Sequence, residues 1–150
     1  MNNPEIVVVL NNIRSLYNVG SIFRTSDALG INKLYLCGIT GTPNNPRLAK
    51  TALKALDVVD WEYKKSAYRT VRQLKKNGYH LVSLETAKGG KPFYLVKKRP
   101  IALIFGHEIT GVEDRIIKES NEVLHIPMQG VGTSMNVAVA YGIVAYLLRN

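Results

Sequence analysis

Polar residues able to do chemistry are concentrated in three short segments of this 150-residue chain. The first, "NNIRSLYNVGSIFRTSDALG" (11–30), offers Asn18, Arg24 and Asp27. The second, "IFGHEITGVED" (104–114), offers Glu108 behind Gly106, a residue that lets a ligand approach the backbone. The third, "MQGVGTSMN" (128–136), sets two glycines two apart before Thr133, Ser134, Met135 and Asn136. Carboxylate, guanidinium, amide and hydroxyl groups are the ones that orient a reacting hydroxyl or hold a charged ligand. Taken singly, each has a plainer meaning: Asn18 an N-cap, Arg24 a surface cation, Glu108 a solvated carboxylate, Ser134 the cap of a flexible turn. What joins them is position, since all three segments follow apolar runs, at the carboxyl edge where open α/β sheets bind ligands.

The glycine pair of the third segment suggests a phosphate loop, but the context argues otherwise. No G-x-x-x-x-G-K-S/T spacing occurs anywhere, and "GVGTSM" has Met135 where the last glycine of G-x-G-x-x-G belongs. It also stands near the C-terminus, with no strand after its helix to complete a βαβ unit.

The elements that must position these segments alternate along the chain. "EIVVVL" (5–10), "KLYLCGI" (33–39), "HLVSLE" (80–85), "IALIFG" (101–106) and "VLHIP" (123–127) read as strands, and "DVVDWEY" (57–63) adds a possible short sixth. They are apolar on both faces, as buried parallel strands are. Between them, Asn18 to Leu29 carries a stripe of Val19, Ile22, Ser26 and Leu29 and closes at Gly30, and Ala67, Val71 and Leu74 form a second stripe closing at Gly78. Residues 112–120 suggest a short helix, and 38–50 a Gly/Pro/Asn loop leading into another. The expected fold is α/β, one domain over 1–150, with five to six mostly parallel strands between helices and no added domain. The last element, "VAVAYGIVAYLL" (137–148), is apolar around its whole circumference. Such a helix must run through the middle of the fold or be buried on a second subunit, so a homodimer is expected.

Twenty Lys+Arg against eleven Asp+Glu leave a net charge of +9, which calls for a polyanionic partner. Three groups carry it: Lys64, Lys65, Arg69, Arg72, Lys75 and Lys76; Lys88, Lys91, Lys97, Lys98 and Arg99; and Arg47, Lys50 and Lys54. No apolar run has signal-peptide form or reaches the roughly 20 residues of a membrane span, so the expected location is cytoplasmic. The single Cys37, inside an apolar run, reads as a core residue in a reducing compartment. His80, His107 and His125 lack ligand spacing and "HEITG" lacks a second histidine, so no metal is expected.

"NVGSIFRTSDALG", "IFGHEITGV" and "IPMQGVGTSMNVAVA" resemble, in order and spacing, the three motifs of the SpoU/TrmH family of RNA ribose methyltransferases, within the SPOUT superfamily. In the third motif Met135 stands where leucine is more usual, a volume-conserving change. The resemblance implies a deep trefoil knot in the C-terminal part of the sheet, a homodimer, and S-adenosylmethionine as cofactor. It implies a cofactor site at Leu84, Glu85, Thr86, Gly106, Ile126, Met128, Ser134 and Met135. The implied reaction is transfer of a methyl group to a ribose 2′-hydroxyl of RNA. Arg24 would stand at the attacking hydroxyl with Asn18 nearby, and Glu108, Ser134 and Asn136 would hold substrate or cofactor. An arginine is a poor base, its pKa exceeding about 12, so phosphate binding and orientation suit Arg24 better than proton removal. A compact chain suits tRNA better than a large ribosomal target, with ribosomal RNA, a methylated base, or an RNA-binding module without turnover as alternatives.

Overall fold

The computed structural model describes residues 5–150. Seven strands form one sheet in which every pairing is parallel: β1 (Ile6–Asn11), β2 (Lys33–Cys37), β3 (Trp61–Lys64), β4 (His80–Leu84), β5 (Lys91–Pro92), β6 (Ile101–Phe105) and β7 (Glu122–His125). The helices are α1 (Leu16–Leu29), α2 (Ala49–Ala52), α3 (Ala55–Val58), α4 (Ala67–Lys76), α5 (Asp114–Glu119) and α6 (Val137–Arg149). Strand order is β3-β2-β1-β6-β4-β7-β5. All of β1 and β6 is buried, as their uninterrupted apolar sequences require of strands covered on both faces.

Each face of the sheet has its own core. On one, Val19, Ile22 and Phe23 of α1 pack with Tyr141, Val144, Ala145 and Leu148 of α6 against Ile6, Val8 and Leu10. Tyr141 meets Phe105 edge-on at 5.5 Å and shares a 2.7 Å hydrogen bond with Ser26. On the other face, Ala67, Val71 and Leu74 of α4 cover Val7, Val9 and Cys37. Burial pushes the Cys37 thiol up to about 12, against a hydrogen bond from Thr70 and the nearby Lys64 charge, so it stays protonated and inert as a core residue does.

Four expectations are corrected. The sheet has seven strands, not five to six, because Lys91–Pro92 pairs with β7. Two residues are too few to show a period, and a proline is tolerated on that edge strand. Residues 57–63 are not one strand: the Val59 N–H closes a single helical turn on the Ala55 carbonyl before β3 begins. Asn18 is not the N-cap of α1. Ser15 takes that place, its side chain accepting the Asn18 N–H at 3.1 Å, which frees the Asn18 amide for another task. Nor does α6 run through the middle of the fold. One face packs on α1, while Val139, Ile143, Tyr146 and Leu147 are exposed in the single chain.

Leu124 of β7 pairs with Leu84 on one side and Lys91 on the other, so the turn 85–90 must cross over β7 to join β4 to β5. That crossing is in keeping with the implied knot, which the strand ladder by itself does not trace.

Candidate functional site

The carboxyl ends of β4, β6 and β7 and the amino ends of α1 and α6 surround a cleft of about 570 Å³. That volume suits a cofactor-sized ligand. Leu84, Phe105, Leu124, Ile126 and Val137 give it apolar walls, and Asn18, Glu85, Glu108, Ser134 and Asn136 give it polar points. In a chain of net charge +9, no lysine or arginine lines it. A phosphate would find no counter-charge there, whereas a cation would face two carboxylates.

Three polar side chains distant in sequence join in a rail along one wall. Asn136 is the N-cap of α6, its Oδ1 accepting the N–H of Ala138 at 2.9 Å and of Val139 at 3.2 Å. Its Nδ2 donates to Asn18 Oδ1 at 3.2 Å, and Asn18 Nδ2 donates to Glu108 at 3.4 Å. The Glu108 carboxylate also accepts the N–H of Arg14 at 3.0 Å and of Ser15 at 3.1 Å. Burial would raise its pKa. The donated N–H groups of Arg14, Ser15 and Glu108 itself, with the Asn18 amide, outweigh burial and hold it below the usual carboxylate value.

Glu108 is thus an ionised anchor for the turn that starts α1, not a solvated loop residue. Since its folded pKa lies below the unfolded value of about 4.3, its contribution to stability is present above that pH and is lost as pH falls through the folded pKa. Glu108→Gln should therefore lower stability at pH 7 and lose its disadvantage in acid. Urea unfolding of both proteins at pH 7 and below pH 4 measures this, and an equal gap at both pH values would contradict it.

The loop after β6 is held from several sides. His107 Nδ1 accepts the N–H of Ile109 at 3.0 Å and of Thr110 at 3.2 Å, so the proton of its neutral form is on Nε2. The buried Glu85 accepts the N–H of Val112 at 2.7 Å and of Ala87 at 3.1 Å, tying the β4 turn to the same loop. Two glycines are obligatory here. Gly111 has φ +76, and a Cβ on it would meet Glu85 Oε2 at 1.9 Å. A Cβ on Gly106 would lie 2.3 Å from the Gly111 carbonyl oxygen and 2.5 Å from the Val112 nitrogen. What Gly106 makes room for is the folded-back loop, so the expectation that it admits a ligand is not its main reason.

Of the residues singled out in the sequence, Asn18, Leu84, Glu85, Thr86, Gly106, Glu108, Ile126, Ser134, Met135 and Asn136 line the cleft. Met128 and Arg24 do not. Arg24 is exposed on α1 outside the cleft, next in sequence to Thr25, which borders the exposed apolar face of α6. Ser134 is exposed and caps nothing, Asn136 being the cap. Among the lining residues that sequence reasoning missed are Phe105, Leu124 and His125, close to residues it named. Counting both residues at each strand end would have found them. Among the described residues no group of His, Cys, Asp and Glu is arranged to hold a metal, and no helix is long and apolar enough to cross a membrane.

The basic groups separate by role. Arg99 donates to the carbonyls of Val96, Lys98 and Leu148, which ties down the end of α6. Lys88 bonds the Val112 carbonyl and pairs with Asp114 at 3.0 Å. Lys75 pairs with Glu119 at 3.7 Å. These three cations serve the fold.

Residues 5–146 match the model of the SpoU rRNA Methylase family. The chain is 28% identical over 148 residues to a tRNA (guanosine(18)-2′-O)-methyltransferase of Aquifex aeolicus, covering 95% of this chain and 67% of that protein. It superimposes with a TM-score of 0.90 and 25% identity on an AdoMet-bound rRNA methyltransferase from Sinorhizobium meliloti, covering 99% of this chain but 57% of that one. A third structure, described as giving structural insights into the 2-OH methylation of C/U34 on tRNA, matches with a TM-score of 0.86 and 25% identity, covering 98% of this chain and 95% of its own. The chain thus spans little more than half of some relatives and nearly all of another.

Proposed function

The chain belongs to the SpoU rRNA Methylase family, and on that premise we propose that it transfers a methyl group from S-adenosylmethionine to a ribose 2′-hydroxyl of RNA. The observation that carries the reading is a cation-free, carboxylate-bearing cleft in a strongly basic protein. It suits a sulfonium donor and excludes the phosphate-loop reading. The apolar walls and the backbone of 84–87, 106–111 and 133–136 would hold the donor, which supplies an electrophilic methyl. Gly130 and Gly132 meet nothing a Cβ would clash with, so nothing in the chain itself demands glycine there; a ligand passing close to the backbone would.

The chain's own part is to orient the acceptor hydroxyl and to keep competing water out. Asn18 and Asn136, locked by Glu108 and by the α6 amides, are the groups placed to do so. Glu108 already accepts N–H bonds on both oxygens, which leaves it a poor proton acceptor. Purified protein, labelled donor and RNA from a strain lacking the gene test the reading. Label in a nuclease-resistant dinucleotide is expected, and tRNA is favoured over ribosomal RNA because the relative matched along 95% of its length is described for tRNA. Label on a base, or none, would refute it.

We also propose a homodimer through the exposed face of α6, which presents Val139, Ile143, Tyr146 and Leu147. Arg24 lies outside its own cleft, next in sequence to Thr25, which borders that face, so in such a dimer it would serve the partner's cleft. A light-scattering mass of two protomers is expected. Arg24→Lys keeps the charge but loses the planar fork, so turnover should fall on the order of tenfold or more. Mixing Arg24→Ala with Asn136→Ala subunits should restore activity; failure to do so would place Arg24 in its own subunit's site and overturn the partner assignment.

A further inference from the structure

A ribose held in the cleft brings its phosphates with it, and the chain that forms the cleft lines it with no cation, which leaves at most the partner's Arg24 to meet them. The rest of the neutralising charge must lie elsewhere. A second depression, of about 760 Å³, runs along α4 on the opposite face of the sheet. Tyr35 and Lys64 form part of its floor, and Ser66 to Asn77 one wall.

Four cations line this groove, Lys64, Lys65, Arg69 and Arg115, against two carboxylates. Both carboxylates are already engaged. Glu62 lies 3.6 Å from Lys33 and 3.5 Å from Lys64, and Glu113 binds Arg115 at 2.8 Å and Asn11 at 2.9 Å. Lys65 and Arg69 are exposed and make no ion pair among the described residues. Arg115 is held in place by Glu113 and by the Tyr68 ring, 4.5 Å away. The ten-residue α4 opens into the groove with its positive end and has no acid in its first turn.

The loop after β6 links the two depressions. Its residues 106–111 line the cleft, and Glu113 and Arg115 just beyond line the groove. Both lie at the carboxyl edge of the sheet, where β1 ends at Asn11 and β6 at Phe105.

We propose that the α4 groove binds backbone phosphates of the RNA whose ribose enters the cleft, a second contact some nucleotides from the methylated one. It rests on the methyl-transfer reading above. The division of charge supports it: an anionic cleft for a cationic donor, a cationic groove for the polyanion. Uncommitted Lys65 and Arg69 are the contacts expected to matter most.

The test uses the full chain, with Lys65→Gln/Arg69→Gln as the variant and unfractionated tRNA as the probe, titrated at several salt concentrations. Affinity should fall roughly tenfold or more, and the slope of log K against log salt should shrink by about two. KM for tRNA should rise far more than kcat falls, with donor affinity by calorimetry unchanged. Unchanged affinity and slope would overturn the groove. Photocrosslinking of 4-thiouridine-bearing tRNA to the unaltered protein gives a second readout. Adducts within 64–77 support the proposal, whereas adducts confined to 106–111 and 128–136 overturn it and leave methyl transfer standing. A protein that neither crosslinks nor methylates would overturn both. Poly-glutamate seated in the groove, with no tRNA adduct there, would make it a protein-docking face and overturn the RNA assignment.

Discussion

Gly106→Ala is expected to slow methyl transfer on the order of a hundredfold while leaving the sheet folded. The added Cβ would sit 2.3 Å from the Gly111 oxygen and 2.5 Å from the Val112 nitrogen. Both are backbone atoms that no rotamer change can move aside. The loop must therefore swing out. It would draw the Val112 N–H off Glu85 and shift Glu108, which lines the cleft and bonds Asn18 directly. Overpacking of this kind costs about 1–3 kcal/mol, so a melting temperature several degrees lower should accompany the loss. A displacement of about 1 Å in a positioning group is worth on the order of a hundredfold in rate. Circular dichroism melts and single-turnover transfer report the two effects separately. Wild-type turnover in this variant would mean that the loop geometry has no bearing on the reaction.

How far the sequence alone reaches is clear from the same loop. The strands were legible because parallel strands covered on both faces leave long apolar runs, and β1 and β6 are the purest cases. Stripe and cap signals located α1 and α4. Contacts across long separations were not legible. Ser15 and Asn18 are both good N-cap types, and the choice between them is settled by Glu108, 90 residues on, which recruits the Asn18 amide. Gly106 invited a ligand-approach reading because the loop that crowds it is a fold-back unmarked by any local pattern. Arg24 was grouped with the site by motif, although it is exposed on α1 and does not line the cleft. Charge counting likewise merged Arg99 and Lys88, which hold carbonyls, with Lys65 and Arg69, which make no ion pair among the described residues.

Asn136 carries two tasks that different substitutions separate. Its Oδ1 caps α6 and its Nδ2 holds Asn18. The orientation of both amides is fixed from the two ends of the rail. At one end the α6 N–H groups demand the Asn136 oxygen, and at the other the ionised Glu108 demands the Asn18 nitrogen. The middle bond then has one possible polarity. Asn136→Ala removes both tasks, so stability should drop by about 1 kcal/mol and transfer by on the order of a hundredfold. Asn136→Asp keeps the cap, since Asp caps as well as Asn, but turns an oxygen toward Asn18 Oδ1. Asn18 cannot rotate to meet it without presenting its own oxygen to Glu108. The aspartate variant should therefore melt near the unaltered protein yet transfer as poorly as the alanine variant, with kcat reduced more than KM is raised. Restored turnover in Asn136→Asp would show that the cap alone matters and that the Asn136–Asn18–Glu108 rail does not orient the acceptor.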